Sequence, residues 1–245
     1  MRGCVMKRET GIILCLLLVL AVSFVWAGKK VTDVLSGRQN EGAVVVIDAG
    51  HGGDDPGKVG INGALEKDIN LVIAELIQSY LEQNGVTVIL TRDSDAGLCG
   101  AKSSNKKVED LKNRLALIES SGALLAVSIH QNSYTSESVH GAQVFYYETS
   151  ENGRRAALLL QNQLVEGLQE KKARQAKKND SYYLLKKSSV PTVIVECGFL
   201  SNQREADLLI TDAYQKKVAW NITLGILQYL SGADIPVETA CVSSP

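Results

Sequence analysis

Apolar residues fall along this chain in two rhythms. Short unbroken runs at Val44–Asp48, Val86–Leu90, Leu124–Ile129, Ala142–Tyr147 and Thr192–Glu196 are too brief for helices and rich in β-branched residues. They predict strands, several of them buried on both faces. Ser181–Leu185 reads as one more short strand. Between these runs the period lengthens toward 3.6. Leu65, Ile69, Val72, Ile73, Leu76, Ile77, Tyr80 and Leu81 mark one face of a helix from Leu65 to Asn84, which Gly85 ends. Leu111, Leu115 and Ile118 stripe a helix over Val108–Glu119, and Leu158, Leu159, Leu164 and Leu168 stripe another over Glu151–Glu170. Asn202–Ile210 and Asp212–Leu230 complete the helices, and 96–107 is a polar loop. Strands and helices alternate without an internal repeat. That predicts a single α/β domain, with a mostly parallel sheet and helices on both faces.

The two ends of the chain break this pattern. Arg2, Lys7 and Arg8 precede an apolar stretch from Gly11 to Ala27, and Val25-Trp26-Ala27 has small residues where cleavage needs them. Residues 1–27 read as a signal peptide or a membrane anchor; the stretch is slightly short for a spanning helix, which needs about 20 residues. Either way the chain is exported. Residues 28–43 read as a linker, 44–231 as the domain, and 232–245 as a polar tail. Of the 245 residues, roughly 215 remain beyond the targeting segment, enough for one sizeable core.

Composition narrows the function classes. A net charge of −1 carries no electrostatic footprint for nucleic acid. Lys171, Lys172, Arg174, Lys177 and Lys178 form one basic cluster, read as a solvated helix end whose cations oppose the dipole rather than as a binding patch. Cys99, Cys197 and Cys241 form no disulfide framework; nothing in their spacing supports a Cys99–Cys241 bridge. Cys197, beside an apolar strand, reads as a buried small hydrophobe.

The chemistry gathers at strand ends. Val45-Val46-Ile47 runs into Asp48-Ala49-Gly50-His51-Gly52-Gly53, a glycine loop with a histidine at its tip. The loop matches neither the dinucleotide fingerprint nor the P-loop. Only three histidines exist in the chain, and a second, His130, closes another apolar run. Glu66 lies near a helix start. Two histidines and a carboxylate there could converge on one zinc ion and leave a fourth position for water, since open α/β sheets gather ligands at strand carboxyl ends. Glu196 also ends an apolar strand. Its bland reading is a structural carboxylate paired with Arg92 or Arg114. Its functional reading is a general base beside the metal.

Five motifs occur in order: Asp48-Ala49-Gly50-His51-Gly52-Gly53, Leu65-Glu66-Lys67-Asp68, Thr91-Arg92, Ser128-Ile129-His130-Gln131-Asn132 and Glu196-Cys197-Gly198-Phe199-Leu200-Ser201-Asn202. Together they resemble the zinc-dependent N-acetylmuramoyl-L-alanine amidases of the amidase-3 type, over about Val44 to Leu230. The resemblance implies zinc bound by His51, Glu66 and His130, catalysis by Glu196, and a mixed, mostly parallel six-stranded sheet flanked by helices. It implies peptidoglycan as substrate, cut between N-acetylmuramic acid and L-alanine. Lys107–Lys112 and Gly141–Tyr147, with the Leu65–Asp68 motif, place it nearest the germination-specific, spore-cortex branch, where the cut prepares muramic-δ-lactam.

Two departures from the family pattern are visible, and neither touches a proposed ligand. Gln131 stands where a small or apolar residue is more usual, and Glu119-Ser120-Ser121 replaces the usual Ala-Asn. His140, the third histidine, matches no family ligand and reads as a turn residue. Arg92 and Arg114 read as buried ion-pair partners. Two rivals stay open: another exported zinc peptidase or deacetylase, and a non-catalytic wall-binding or partner-regulated domain on the same fold. Membrane anchoring through residues 11–27 and an activating protein partner also stay open.

Overall fold

The computed structural model describes residues 40–100, 104–169 and 173–235. The targeting segment, most of the linker and the tail, Lys171, Lys172 and Cys241 lie outside them. The described elements, in chain order, are β1 (Val44–Ala49), α1 (Glu66–Glu82), β2 (Thr87–Leu90), α2 (Lys106–Ser120), β3 (Leu125–Asn132), β4 (Gln143–Tyr147), α3 (Glu151–Leu168), β5 (Lys177–Asn179), α4 (Tyr183–Lys187), β6 (Thr192–Phe199), α5 (Gln203–Leu209) and α6 (Asp212–Leu230). The strands form one six-stranded sheet in the order β2-β1-β3-β6-β4-β5. Every neighbouring pair is parallel except β4 with β6. This is the mixed, mostly parallel sheet expected.

Alternation sorts the side chains to two faces. Val45, Ile47, Val127, Ile129, Val193 and Val195 meet the apolar stripes of α1, α3 and α6 in the larger core. Val46 and Ala126 face the other way, onto Ile118 of α2 and Leu184 of α4. Helices therefore cover both faces, which is why β1, β3 and β6 read as continuous apolar runs.

Local chemistry sets the element ends. Asn105, Ser150 and Asn202 cap α2, α3 and α5, each accepting a backbone N–H from the first turn. Gly85, at φ +77°, turns the chain from α1 into β2.

Two expectations are corrected. Ser181–Leu185 is no strand: the strand is Lys177–Asn179, and Tyr183–Lys187 forms a short helix. The Asn179 side chain accepts the N–H groups of Ser181 and Tyr182 and so starts a turn. Leu184 and Leu185 then reach two different apolar clusters. The described members of the basic cluster, Arg174, Lys177 and Lys178, are no solvated helix end. The α3 helix stops at Leu168, and Lys177 and Lys178 belong to β5. Arg174 lies over the Phe199 ring at 4.8 Å and donates to the His140 carbonyl at 2.8 Å. No helix among the described residues is long and apolar enough to cross a membrane.

Candidate metal centre and active site

The carboxyl ends of β1, β3 and β6 lie side by side, and the start of α1 approaches them. His51 follows β1 in the left-handed region, at φ +62°, which is uncommon for a residue with a side chain. Two buried guanidiniums hold that backbone. Arg114 donates to the His51 carbonyl at 2.7 Å and the Ala49 carbonyl at 2.8 Å. Arg92 donates to the carbonyls of Ala49 and Gly50 at 2.9 and 3.1 Å.

Glycine is required where rings pass over backbone. A Cβ on Gly50 would stand 2.3 Å from the His130 ring. Gly57, at φ +69°, gives way to both Glu66 and His51.

His51, Glu66 and His130 present ligand-type atoms that all lie within 4.8 Å of one another. The His51 Nε2 is 3.2 Å from Glu66 Oε1, and His130 Nδ1 is 2.9 Å from the same oxygen. On the far side of the first ring, Nδ1 meets Asp55 Oδ2 at 2.8 Å, which turns Nε2 toward the cluster. Asp55 is itself held by the Gly57 N–H. Glu66 is nearly sealed from solvent; its other oxygen accepts the Lys58 N–H at 2.8 Å. Burial alone would raise the Glu66 carboxyl, but the two imidazoles outweigh it and hold it well below the usual carboxylate range. For His51 burial works downward, and Glu66 and Asp55 together leave the ring raised.

Glu196 stands beside His130. The two are register partners in adjacent parallel strands, so their side chains share a face. A bulge follows at once: Asn132 pairs with Phe199, two steps against three. Neither arginine reaches Glu196, so the structural ion-pair reading fails. Its Oε1 is 3.4 Å from the Tyr182 hydroxyl, and its Oε2 is buried without a partner. Burial, reinforced by Glu66, pushes the carboxyl up to about 7 against the opposing pull of His130 and Tyr182.

The other singled-out residues add no side-chain donor to this cluster. His140 bonds Ser138 through Nδ1. Arg114 is a buried ion-pair partner as expected, and its partner is Asp48, at 2.6 Å. Arg92 donates to four carbonyls, those of Ala49, Gly50, Lys67 and Ser94, rather than forming an ion pair. Cys197 is buried, and burial pushes its thiol up, out of reactive range. Tyr182, Asp55 and Asn70 are contacts that sequence reasoning missed. Only Asn70 left a signal: it is a polar residue on the apolar stripe of α1, one turn past Glu66. Beside His51 a cavity of about 440 Å³ opens, lined by Asp54, Asp55, Cys99, Lys106 and Lys107.

An open α/β sheet with two imidazoles, two carboxylates and a groove at its strand ends has the furniture of a hydrolase. The sequence matches the N-acetylmuramoyl-L-alanine amidase family of the amidase-3 type over residues 45–228, and the chain belongs to that family of enzymes. It is 42% identical over 200 residues to the germination-specific N-acetylmuramoyl-L-alanine amidase of Bacillus subtilis, covering 80% of this chain and 84% of that protein. Among solved structures it resembles the CwlD amidase of Clostridioides difficile, solved in complex with the GerS lipoprotein. That match has 39% identity and a TM-score of 0.75, and covers 78% of this chain and 99% of that one. The amidase AmiC2 of Nostoc punctiforme matches at 35% identity and a TM-score of 0.68, covering 78% and 98%.

Proposed function

We propose that this amidase cleaves the bond between the lactyl carbonyl of N-acetylmuramic acid and the nitrogen of L-alanine in peptidoglycan, with zinc held by His51, Glu66 and His130. The observation that carries this reading is the convergence of those three side chains beside a buried carboxylate with one free oxygen. Two imidazoles and a carboxylate are a donor set suited to zinc with an open position. When bound, zinc supplies Lewis acidity and lowers the pKa of water from about 15.7 to about 7.

The geometry supports the following roles for the protein's own residues. Asp55 fixes the ring of His51, and Arg114 and Arg92 fix its backbone. Glu196, whose Oε2 has no partner, would accept a proton from the reacting water. It then returns that proton to the alanine nitrogen as the C–N bond breaks. A carboxyl raised toward neutrality suits both roles. The cavity beside His51 has room for part of the muropeptide.

The test is mass spectrometry of muropeptides after incubation with the purified protein. Free L-alanine amino termini should appear, vanish on chelation and return with zinc. Intact muropeptides in every arm, from folded protein, would overturn the reading. The donors are tested separately. The parent should hold one zinc per chain, His51→Ala and His130→Ala should lose it, and His140→Ala should keep it. Normal zinc in both ligand variants by metal analysis would reject the assignment.

The likeness to the germination-specific relative supports a role in spore cortex, where removing the peptide frees muramic acid for δ-lactam closure by a second enzyme. Deletion should leave vegetative growth normal and give spores whose cortex lacks muramic-δ-lactam. A muropeptide profile with normal δ-lactam would remove the cortex role and leave the amidase reading standing. We further assign residues 1–27 to export, as a signal peptide or anchor, with 28–43 as linker, 44–231 as catalytic domain and 232–245 as tail. The site of action is then outside the membrane. The lipoprotein seen with the C. difficile amidase supports a protein partner here too.

A further inference from the structure

We propose that Asn70 is a positioning residue that fixes the spacing of the three candidate metal donors, by tying together the backbone segments that carry them. This rests on the zinc reading above. Asn70 lies one turn after Glu66 on α1 and is fully buried. Its Nδ2 donates to the carbonyl of Gly50, the residue before His51, at 3.1 Å. The same nitrogen faces Glu66 Oε1 at 3.5 Å. Its Oδ1 accepts from Gln131 Nε2 at 3.1 Å, and Gln131 is the residue after His130. The loop closes on itself, because the Gln131 backbone N–H donates to Glu66 Oε1 at 3.1 Å. One amide thus touches the segments of all three donors.

The chemistry restricts what can stand there. Gly50 offers an acceptor and Gln131 a donor, so the bridging group must both donate and accept. A carboxylate only accepts, and an apolar side chain does neither. The surroundings argue that geometry, rather than packing, is what the residue serves. Its neighbours on the stripe are Ile69, Ile73, Ala74 and Ile77, all buried, where an apolar side chain would pack as well. Burying an amide among them is costly unless its bonds are made. Asn70 makes its bonds with both polar atoms, whereas its partner Gln131 leaves its own Oε1 buried without one.

The test measures zinc affinity of the full chain by competition with a chromogenic chelator, beside the thermal midpoint of the metal-free protein. Asn70→Leu should raise the zinc dissociation constant ~10–100-fold, the range typical of groups that orient ligands; pairing it with Gln131→Leu, which leaves no Gln131 amide unpaired, should hold the metal-free midpoint near the parent's without restoring zinc affinity. Gln131→Leu should raise it less, because Asn70 keeps its bond to Gly50. If Asn70→Leu does not fold, Asn70→Ser, too short to bridge, replaces it with the same expectation. A folded variant with parental zinc affinity overturns the proposal. In that case a zinc-binding parent keeps the metal reading, whereas a parent that binds no zinc removes both.

Discussion

Glu196→Gln should lower turnover by about 100-fold or more while fold and zinc content stay as in the parent. The amide keeps the size of the carboxyl and a polar atom near Tyr182. It cannot accept a proton. The parent's kcat/KM should fall as pH drops through the carboxyl's own titration, because only the ionised form is a base. Burial pushes that titration up to about 7 in the metal-free protein. A cation at the neighbouring donors favours the ionised form, so the acid limb of the loaded enzyme should lie at or below that value. Residual turnover in the variant should lack the limb. Near-parental turnover in a zinc-loaded variant would move the proton acceptor elsewhere.

Arg114→Met should cost about 3–5 kcal/mol of stability, the usual range for breaking one partner out of a buried ion pair. Its guanidinium is 2% exposed and joins Asp48 at 2.6 Å and Asp110 at 2.6 Å. Removing it leaves Asp48, 1% exposed, with only the hydroxyls of Thr91 and Ser128. The pH dependence has a definite sign. Burial would raise the Asp48 carboxyl, but Arg114 and Ser128 outweigh it and hold it at about 2. A depressed carboxyl contributes stability above its unfolded pKa and loses it as pH falls through the folded one. The deficit of the variant should therefore be largest near neutrality and shrink on acidification, first as the variant's burial-raised Asp48 takes up a proton above pH 4, then as the parent's own contribution is lost between about 4 and about 2. Urea unfolding across that range checks this. A deficit under about 1 kcal/mol at neutral pH would show that the pair contributes little.

The residues of the candidate site were legible because each sits where a pattern changes. His51, His130 and Glu196 each end an apolar run, and Glu66 opens an amphipathic helix. A parallel sheet brings such ends to one edge. What lay beyond the sequence was set by tertiary contacts. The antiparallel pairing of β4 with β6 leaves no trace in local periodicity; the family resemblance implied a mixed sheet but not which strands pair. Ser181–Leu185 carries two tyrosines and two leucines, which suit a strand as well as a helix. The turn made by Asn179 and the two apolar clusters decide for helix. Arg174 sits in a run of cations and reads as solvated until the Phe199 ring is seen beneath it. Asp55 and Tyr182 occupy ordinary loop positions, and only the folded chain shows them at His51 and Glu196.

The order of the strands also fixes when the chain becomes whole. β3 is flanked by β1, which precedes it, and by β6, which begins only at Thr192. A polypeptide made or threaded from its N-terminus therefore displays all three candidate donors well before Glu196 emerges. Until then β3 has an open edge, and the core face built from Val193 and Val195 is missing. A chain truncated before β6 would hold all three candidate donors and still lack the proposed proton acceptor. The segment that carries the proposed proton acceptor is the same one that seals the middle of the sheet, so on that reading competence and completion of the fold arrive together.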